Sequence, residues 1–289
     1  MFTSIQELIH QASEKKMTIG QLALAYEAET QEISEEKVME KMLYHWQVMK
    51  ESVDTGINHP QKSKGGLIGG EGRLLYEYCQ KKNPLSGAIM GKTVSYALAV
   101  AEVNATMGKI VACPTAGSCG IMPGVLMTVQ NQLNLSDEDV ALGLLNASAV
   151  GMVIAHRASI AGAVCGCQAE CGSAAAMASA ASVELAGGSP VQAGHACAMV
   201  IKNVLGLVCD PVAGLVEVPC AKRNALGSSL ALVAADMALA GIQSVIPADE
   251  VIDAMNSVGR SLPESLRETA LGGLAVTPTA INLAKEILK

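Results

Sequence analysis

The sequence predicts a mainly α-helical protein: a single globular helical domain with buried Ala/Gly-rich central helices and a smaller charged helical segment at its N-terminus. Three observations lead there. Hydrophobic residues make up 50% of the 289 but aromatics only 2%, so the core has to be built from Ala, Leu, Val, Ile and Met. Ala, Gly and Ser dominate the second half, and small side chains at a contact let helices approach closely. The alternation of β-branched and aromatic residues that marks strands does not occur. The charged segment covers residues 1–60 and the larger domain residues 61–289.

Thr3-Ser-Ile-Gln6 reads as a capping box that opens a helix with Ile5, Leu8 and Ile9 on one face. Ser34-Glu-Glu-Lys37 opens a second, with Val38, Met42, Trp46 and Met49 at helical spacing as core and Gly56 as its stop. Residues 58–93 are rich in Gly, Lys and Pro, including Ser63-Lys-Gly-Gly-Leu-Ile-Gly-Gly-Glu-Gly72. No GxxxxGK(S/T) occurs there, and Gly87-Ala-Ile-Met-Gly-Lys-Thr93 is one residue short, so a close-packed or flexible loop near a site is the better reading than a nucleotide cradle. Val94–Met107 reads as an Ala-rich helix, and Ile110–Gly120 as a Pro/Gly break. Ser136-Asp-Glu-Asp139 caps a long apolar helix to about Ile154. Helices over Gly172–Leu185 and Ala193–Leu205 are separated by Gly187-Gly-Ser-Pro190, and Asn224–Ile246 forms another. Pro247-Ala-Asp249 and Ser261-Leu-Pro-Glu264 start the last two helices, before Pro278.

A net charge of −7 argues against nucleic acid as a partner, since a basic surface is needed to neutralise phosphates. The start of the chain lacks a charged stretch followed by a long apolar run, so no signal peptide is expected. A cytoplasmic protein keeps its thiols reduced, and nine cysteines are in any case an odd number to pair. The mean hydropathy of +0.34 raises the question of a membrane. The two most apolar runs, Val140–Ala155 and Leu230–Ile246, contain Asn146 and Asp236, so a buried helical core is favoured over a membrane span.

Cys165, Cys167 and Cys171 lie close together, followed by Cys209 and Cys220. Thiolates are the soft ligands of iron–sulfur clusters and zinc. The Cys-x-Cys, Cys-x₃-Cys and Cys-x₁₀-Cys spacings match no common zinc knuckle. Widely spaced single cysteines on different helices suit an iron–sulfur cluster better, because its irons are separated in space.

Three stretches carry a resemblance: Ala112-Cys-Pro-Thr-Ala-Gly-Ser-Cys-Gly-Ile-Met-Pro123, Gly166-Cys-Gln-Ala-Glu170, and Leu205–Asn224 with its Cys-Asp-Pro-Val-Ala-Gly and Val-Pro-Cys segments. With Gly272-Gly-Leu-Ala-Val276 near the end, the chain resembles over nearly its whole length the alpha subunit of the bacterial iron–sulfur-dependent L-serine dehydratase. The resemblance implies an oxygen-sensitive 4Fe-4S cluster on Cys167, Cys209 and Cys220, with one iron open, in an iron–sulfur catalytic domain over residues 61–289. Cys171 shares a helix face with Cys167 and is an alternative ligand. Cys113 and Cys119 read as small buried hydrophobes, and Cys79 and Cys197 as core thiols.

The implied reaction is deamination of L-serine to pyruvate and ammonia, the open iron acting as a Lewis acid on the substrate hydroxyl. Thr115, Ala116, Gly117 and Ser118 resemble the substrate-binding loop, with Asn104 and Glu102 on the preceding helix as orienters. Lys64, His156 and Lys222 are candidates by type for the base that takes the α-proton, His195 less so, and the partner chain is the alternative source. Two departures stand out against single-chain relatives. This chain ends without their terminal cysteine, and it lacks their additional domain, which in the two-subunit form is a separate beta chain. L-serine and a beta subunit are therefore the expected partners. Two other readings compete: a fully thiolate-ligated sensor, and a pyridoxal-phosphate lyase with Lys64 as its Schiff-base residue.

Overall fold

The structure is a computed structural model that describes residues 2–289. It is all helical, as predicted, with thirteen α-helices and no strand among the described residues. Three helices form the N-terminal segment: α1 (Ile5–Lys15), α2 (Ile19–Gln31) and α3 (Glu35–Asn58). Then come α4 (Glu71–Lys81), α5 (Gly87–Ala105), α6 (Ile121–Leu133), α7 (Asp137–Arg157) and the single turn α8 (Gly162–Cys165). The chain closes with α9 (Ser173–Leu185), α10 (Pro190–Asn203), α11 (Cys220–Leu239), α12 (Ala248–Ser261) and α13 (Pro278–Ile287).

The hub is α9, whose residues from Ser173 to Val183 are all buried. Its Ala/Ser surface lets α6, α7, α10 and α11 pack directly against it. Two of its serines are satisfied by turning back on their own helix: Ser179 Oγ donates to Ala176 O at 2.8 Å and Ser182 Oγ to Ala178 O at 2.7 Å. Where α9 carries larger side chains, α7 supplies glycines. A Cβ on Gly151 would sit 2.9 Å from Met177 Cε, and one on Gly143 2.9 Å from Leu185 Cδ1.

The N-terminal helices share this core. Trp46 is fully buried, its Met/Val neighbours pack as core, and its indole Nε1 donates to Asp137 Oδ1 at 2.9 Å. Lys50 meets the same carboxylate at 2.6 Å, which holds Asp137 below the usual carboxylate range. Glu184 of α9 accepts from Ile19 N at 2.8 Å, Gly20 N at 3.0 Å and Asn146 Nδ2 at 2.6 Å, so it caps α2 from across the molecule. Helix α7 is the one described helix long and apolar enough to cross a membrane, and 61% of its apolar window is buried inside the protein.

Several expected boundaries move. The α1 cap is Ser4 with Glu7, one residue beyond the expected Thr3/Gln6 pair. Helices α2 and α4 carry no sequence expectation; the Thr18/Gln21 capping box is the signal for α2, and α4 lies within the stretch read as a loop. Gly56 does not stop α3. It lies inside the helix because a Cβ there would stand 2.4 Å from Ala99 O. Gly72 of α4 meets Ala99 from another side, its Cβ position 2.6 Å from Ala99 N. The helix expected from Asn224 begins at Cys220 and ends at Leu239, and Gly241 turns the chain at φ +90°. Ser261-Leu-Pro-Glu264 ends α12 and leads into one 3₁₀ turn, and the last helix starts at Pro278 rather than before it. Proline's missing N–H is no loss in a first turn.

Because Gly56 is the contact point of α3 and α5, Gly56→Ala is expected to lower stability by about 1–3 kcal/mol through overpacking, outweighing alanine's better helix propensity. The check is an earlier denaturant midpoint at unchanged helical content.

Candidate active site

Three segments converge at the N-terminal end of α9. Cys167 heads a five-residue π-type turn, Gln168–Gly172, that runs directly into α9. Such turns recur at functional sites. Gln168 anchors it: its Nε2 donates to Met255 O at 2.9 Å and its Oε1 accepts from Gly206 N at 2.9 Å. Cys209 lies on the loop after α10 and is pinned on both backbone sides, its N donating to Leu266 O at 2.9 Å and its O accepting from Glu268 N at 2.7 Å. Cys220 is the first residue of α11, where the helix dipole favours a thiolate.

All nine cysteines are free. Burial pushes the Cys209 thiol up, and the charges of Cys167 and Cys220 add to it. Burial likewise pushes Cys220 up to about 12, with Cys167 adding and Arg223 opposing. The three thiols therefore lie within electrostatic reach of one another. Cys167 and Cys171 are in contact, Sγ to Sγ at 3.4 Å. Hydrogen bonding with Cys171 holds Cys167 below the usual thiol range, with help from Arg223, and pushes Cys171 up. Arg223 is itself fixed by Val208 O at 2.7 Å and Asp210 Oδ1 at 2.8 Å. Burial opposes its charge, but Cys167 and Asp210 outweigh that and raise its pKa.

The donor set is soft, reduced and accompanied by a cation, which fits a thiolate-bound iron–sulfur cluster. Among the described residues no three His, Cys, Asp or Glu side chains are grouped tightly enough for a single ion. A cube whose irons stand apart takes ligands set more widely than that.

Beside the thiols runs the loop before α6, with a 3₁₀ turn at Ala116–Ser118. Thr115 Oγ1 donates to Glu170 Oε1 at 2.8 Å, and Ser118 Oγ donates to Cys113 O at 3.2 Å. Asn104 Nδ2 donates to Ala116 O at 3.0 Å. Asn224 of α11 ties the loop to the thiols: its Oδ1 accepts from Gly120 N at 2.9 Å, and its Nδ2 donates to Gly117 O at 2.7 Å and Cys220 O at 2.9 Å. Cys119 is buried at the end of this loop, and burial pushes both it and Cys113 up to about 12.

The expected residues thus divide. Cys167, Cys209, Cys220, Thr115, Gly117 and Ser118 come together, with Asn104 supporting Ala116 from α5. Lys64 is exposed, its backbone N donating to Ala105 O at 3.2 Å. The same loop is held by Glu217, which accepts from Ser63 Oγ and Gly65 N, each at 2.6 Å. His156 is exposed at the last turn of α7. Lys222 pairs with Glu71 on the surface. Glu102 caps α4, accepting from Gly70 N at 3.0 Å and Gly72 N at 3.2 Å, and its burial raises its pKa. Sequence reasoning passed over Glu170, Arg223, Asn224 and Gln168, although all four lie inside the quoted stretches. Their signal is polarity within segments that are otherwise apolar and small.

The fold and site define an all-helical protein that buries a thiol group at the head of its central helix, against a Thr/Ser/Asn-held loop. A family model described as serine dehydratase alpha chain matches residues 14–275, and the chain belongs to that family of enzymes. It is 50% identical over 287 residues to "Probable L-serine dehydratase, alpha chain" of Bacillus subtilis, covering 99% of this chain and 95% of that protein. It is 43% identical over 289 residues to "L-serine dehydratase, alpha chain" of Peptoniphilus asaccharolyticus, covering 100% and 99%. "L-serine dehydratase" of Streptomyces coelicolor is 38% identical over 278 residues, covering 95% of this chain but 61% of that longer protein.

Asn224→Ala strands the buried Gly120 N–H and the Gly117 carbonyl and is expected to cost about 1–3 kcal/mol of stability. Asn224→Asp keeps the acceptor for Gly120 N but sets a buried carboxylate against the Gly117 and Cys220 carbonyls, and should cost at least as much as Asn224→Ala; denaturant midpoints of the three proteins give the order.

Proposed function

We propose that this chain is the alpha subunit of a two-subunit L-serine dehydratase that converts L-serine to pyruvate and ammonia, holding a 4Fe-4S cluster on Cys167, Cys209 and Cys220. The observation that carries the reading is the mutual electrostatic reach of three reduced thiols from three separate segments, beside a hydroxyl-bearing loop. A bound cluster with one iron lacking a protein ligand would supply a Lewis acid for the departing hydroxyl.

The chain's own residues supply the rest. Ala116 and Gly117 head a 3₁₀ turn whose first amides have no partner within the turn, and with the Thr115 and Ser118 hydroxyls they suit the substrate carboxylate. Asn104 and Asn224 hold that loop in register. Arg223 offsets the negative charge of the thiolates. The α-proton needs a base, and of the candidates by type Lys64 and His156 stand exposed and Lys222 pairs with Glu71, which leaves a group of the beta chain as the alternative source. Loss of the α-proton and the β-hydroxyl, together one water, leaves aminoacrylate. Its tautomer hydrolyses, taking up one water, to pyruvate and ammonia. No net oxidation occurs.

The alpha-chain names of the Bacillus subtilis and Peptoniphilus asaccharolyticus relatives support a separate beta partner. Reduced thiols of this kind belong in a reducing compartment, which supports a cytoplasmic location.

The test is anaerobic co-purification with the beta chain, with iron and sulfide counting and a pyruvate assay. Cys167→Ala, Cys209→Ala and Cys220→Ala should each lose iron and reduce pyruvate formation to background, while Cys79→Ala keeps both. The visible absorption should bleach in air and not with a carbonyl reagent; full activity of a colourless, iron-free complex would overturn the reading.

A further inference from the structure

We infer that Glu170 receives the ammonium group of the amino-acid substrate. The inference rests on the dehydratase reading and adds to it the residue that distinguishes an amino acid from the corresponding hydroxy acid. L-serine presents an anionic carboxylate, a hydroxyl and a cationic ammonium. The loop amides and the thiol group answer the first two, and the third calls for a carboxylate with an oxygen to spare.

Three of the other carboxylates around the site are occupied, and Glu268, whose charge reaches Glu170 and Cys209, stands exposed to solvent. Glu217 accepts from Ser63 Oγ, Gly65 N and Leu67 N. Asp210 takes Arg223 Nη2 on one oxygen and Leu274 N, at 2.7 Å, on the other. Glu102 is filled by the first amides of α4. Glu170 differs. Its Oε1 accepts from Thr115 Oγ1 at 2.8 Å, and among the described residues nothing donates to its Oε2.

Two glycines let the backbone pack close against that carboxylate. A Cβ on Gly162 would stand 2.6 Å from Glu170 Oε2, and one on Gly117 would stand 3.3 Å from Oε1. Neither glycine has a positive φ, so the close approach of the carboxylate, and not backbone freedom, is what excludes a side chain there. The Gly162 position also lies 3.2 Å from Cys209 Sγ, so the free carboxylate oxygen and the Cys209 thiol flank the same glycine. Burial raises the Glu170 pKa and the charge of Glu268 adds to it, against the Thr115 hydrogen bond, and a cation on the free oxygen offsets that cost. A half-buried carboxylate is costly to leave uncompensated, and a bound ammonium compensates it with a charge-assisted hydrogen bond.

The experiment uses the anaerobic holo-complex with the beta chain. It compares KM for L-serine with inhibition by 3-hydroxypropanoate, which is L-serine without its amino group. Glu170→Gln should raise the L-serine KM about tenfold or more, the loss of one charge-assisted hydrogen bond, and leave 3-hydroxypropanoate inhibition unchanged. Glu170→Asp should restore part of the loss, at an iron content per chain equal to wild type. The inference is overturned if Glu170→Gln weakens substrate and analogue by the same factor, which marks a structural role. It is also overturned if kcat falls at unchanged KM, which marks proton transfer, or if neither parameter moves. A wild-type complex that makes no pyruvate from L-serine would instead sink the dehydratase reading, and this inference with it.

Discussion

Everything in this fold depends on how closely helices can approach α9. Its surface is mostly Ala and Ser, with glycines on α7 opposite its larger Met177 and Leu185, so four neighbours reach it closely. Dispersion is gained from many short contacts rather than from a few large aromatic ones. The single Trp lies in α3 and the single Phe just before α1, and both are buried where the N-terminal segment joins the core.

The same closeness builds the site. The head of α9 carries Cys167 on a π-type turn, and the start of α11 carries Cys220. Asn224, one turn into α11, reaches both the 115–120 loop and the Cys220 carbonyl. Cys209 has no helix of its own and is held by backbone hydrogen bonds to the 264–268 segment. Two thiols are therefore positioned by rigid helices and the third by a backbone clasp. All three belong to polar surroundings that exist only once α9, α11 and the late loops have assembled.

The fold class was legible because composition alone removes the alternatives: few aromatics, no strand alternation and a small-residue second half leave close-packed helices. Caps at Ser34 and Ser136 were readable because a hydroxyl before an acidic first turn acts locally. Gly56 was misread for the opposite reason. Whether a glycine ends a helix or admits a neighbour depends on Ala99, which is far away in sequence. The cysteines were legible through the specificity of the stretches around Cys167, Cys209 and Cys220. Glu170, Arg223 and Asn224 were not, since nothing local tells a polar residue that faces a site from one that faces water. Lys64 and His156 were picked by chemical type, and both stand exposed.

The α7–α9 contact has a further consequence for how such a sequence can vary. With glycine opposite Met177 and Leu185, neither partner has slack to absorb a larger neighbour. A bulkier residue on one helix becomes tolerable only alongside a trimmed one across the seam. Drift in this protein's interior should therefore proceed by paired exchanges, with α9 and its neighbours constraining each other's alphabet even at positions that never touch substrate.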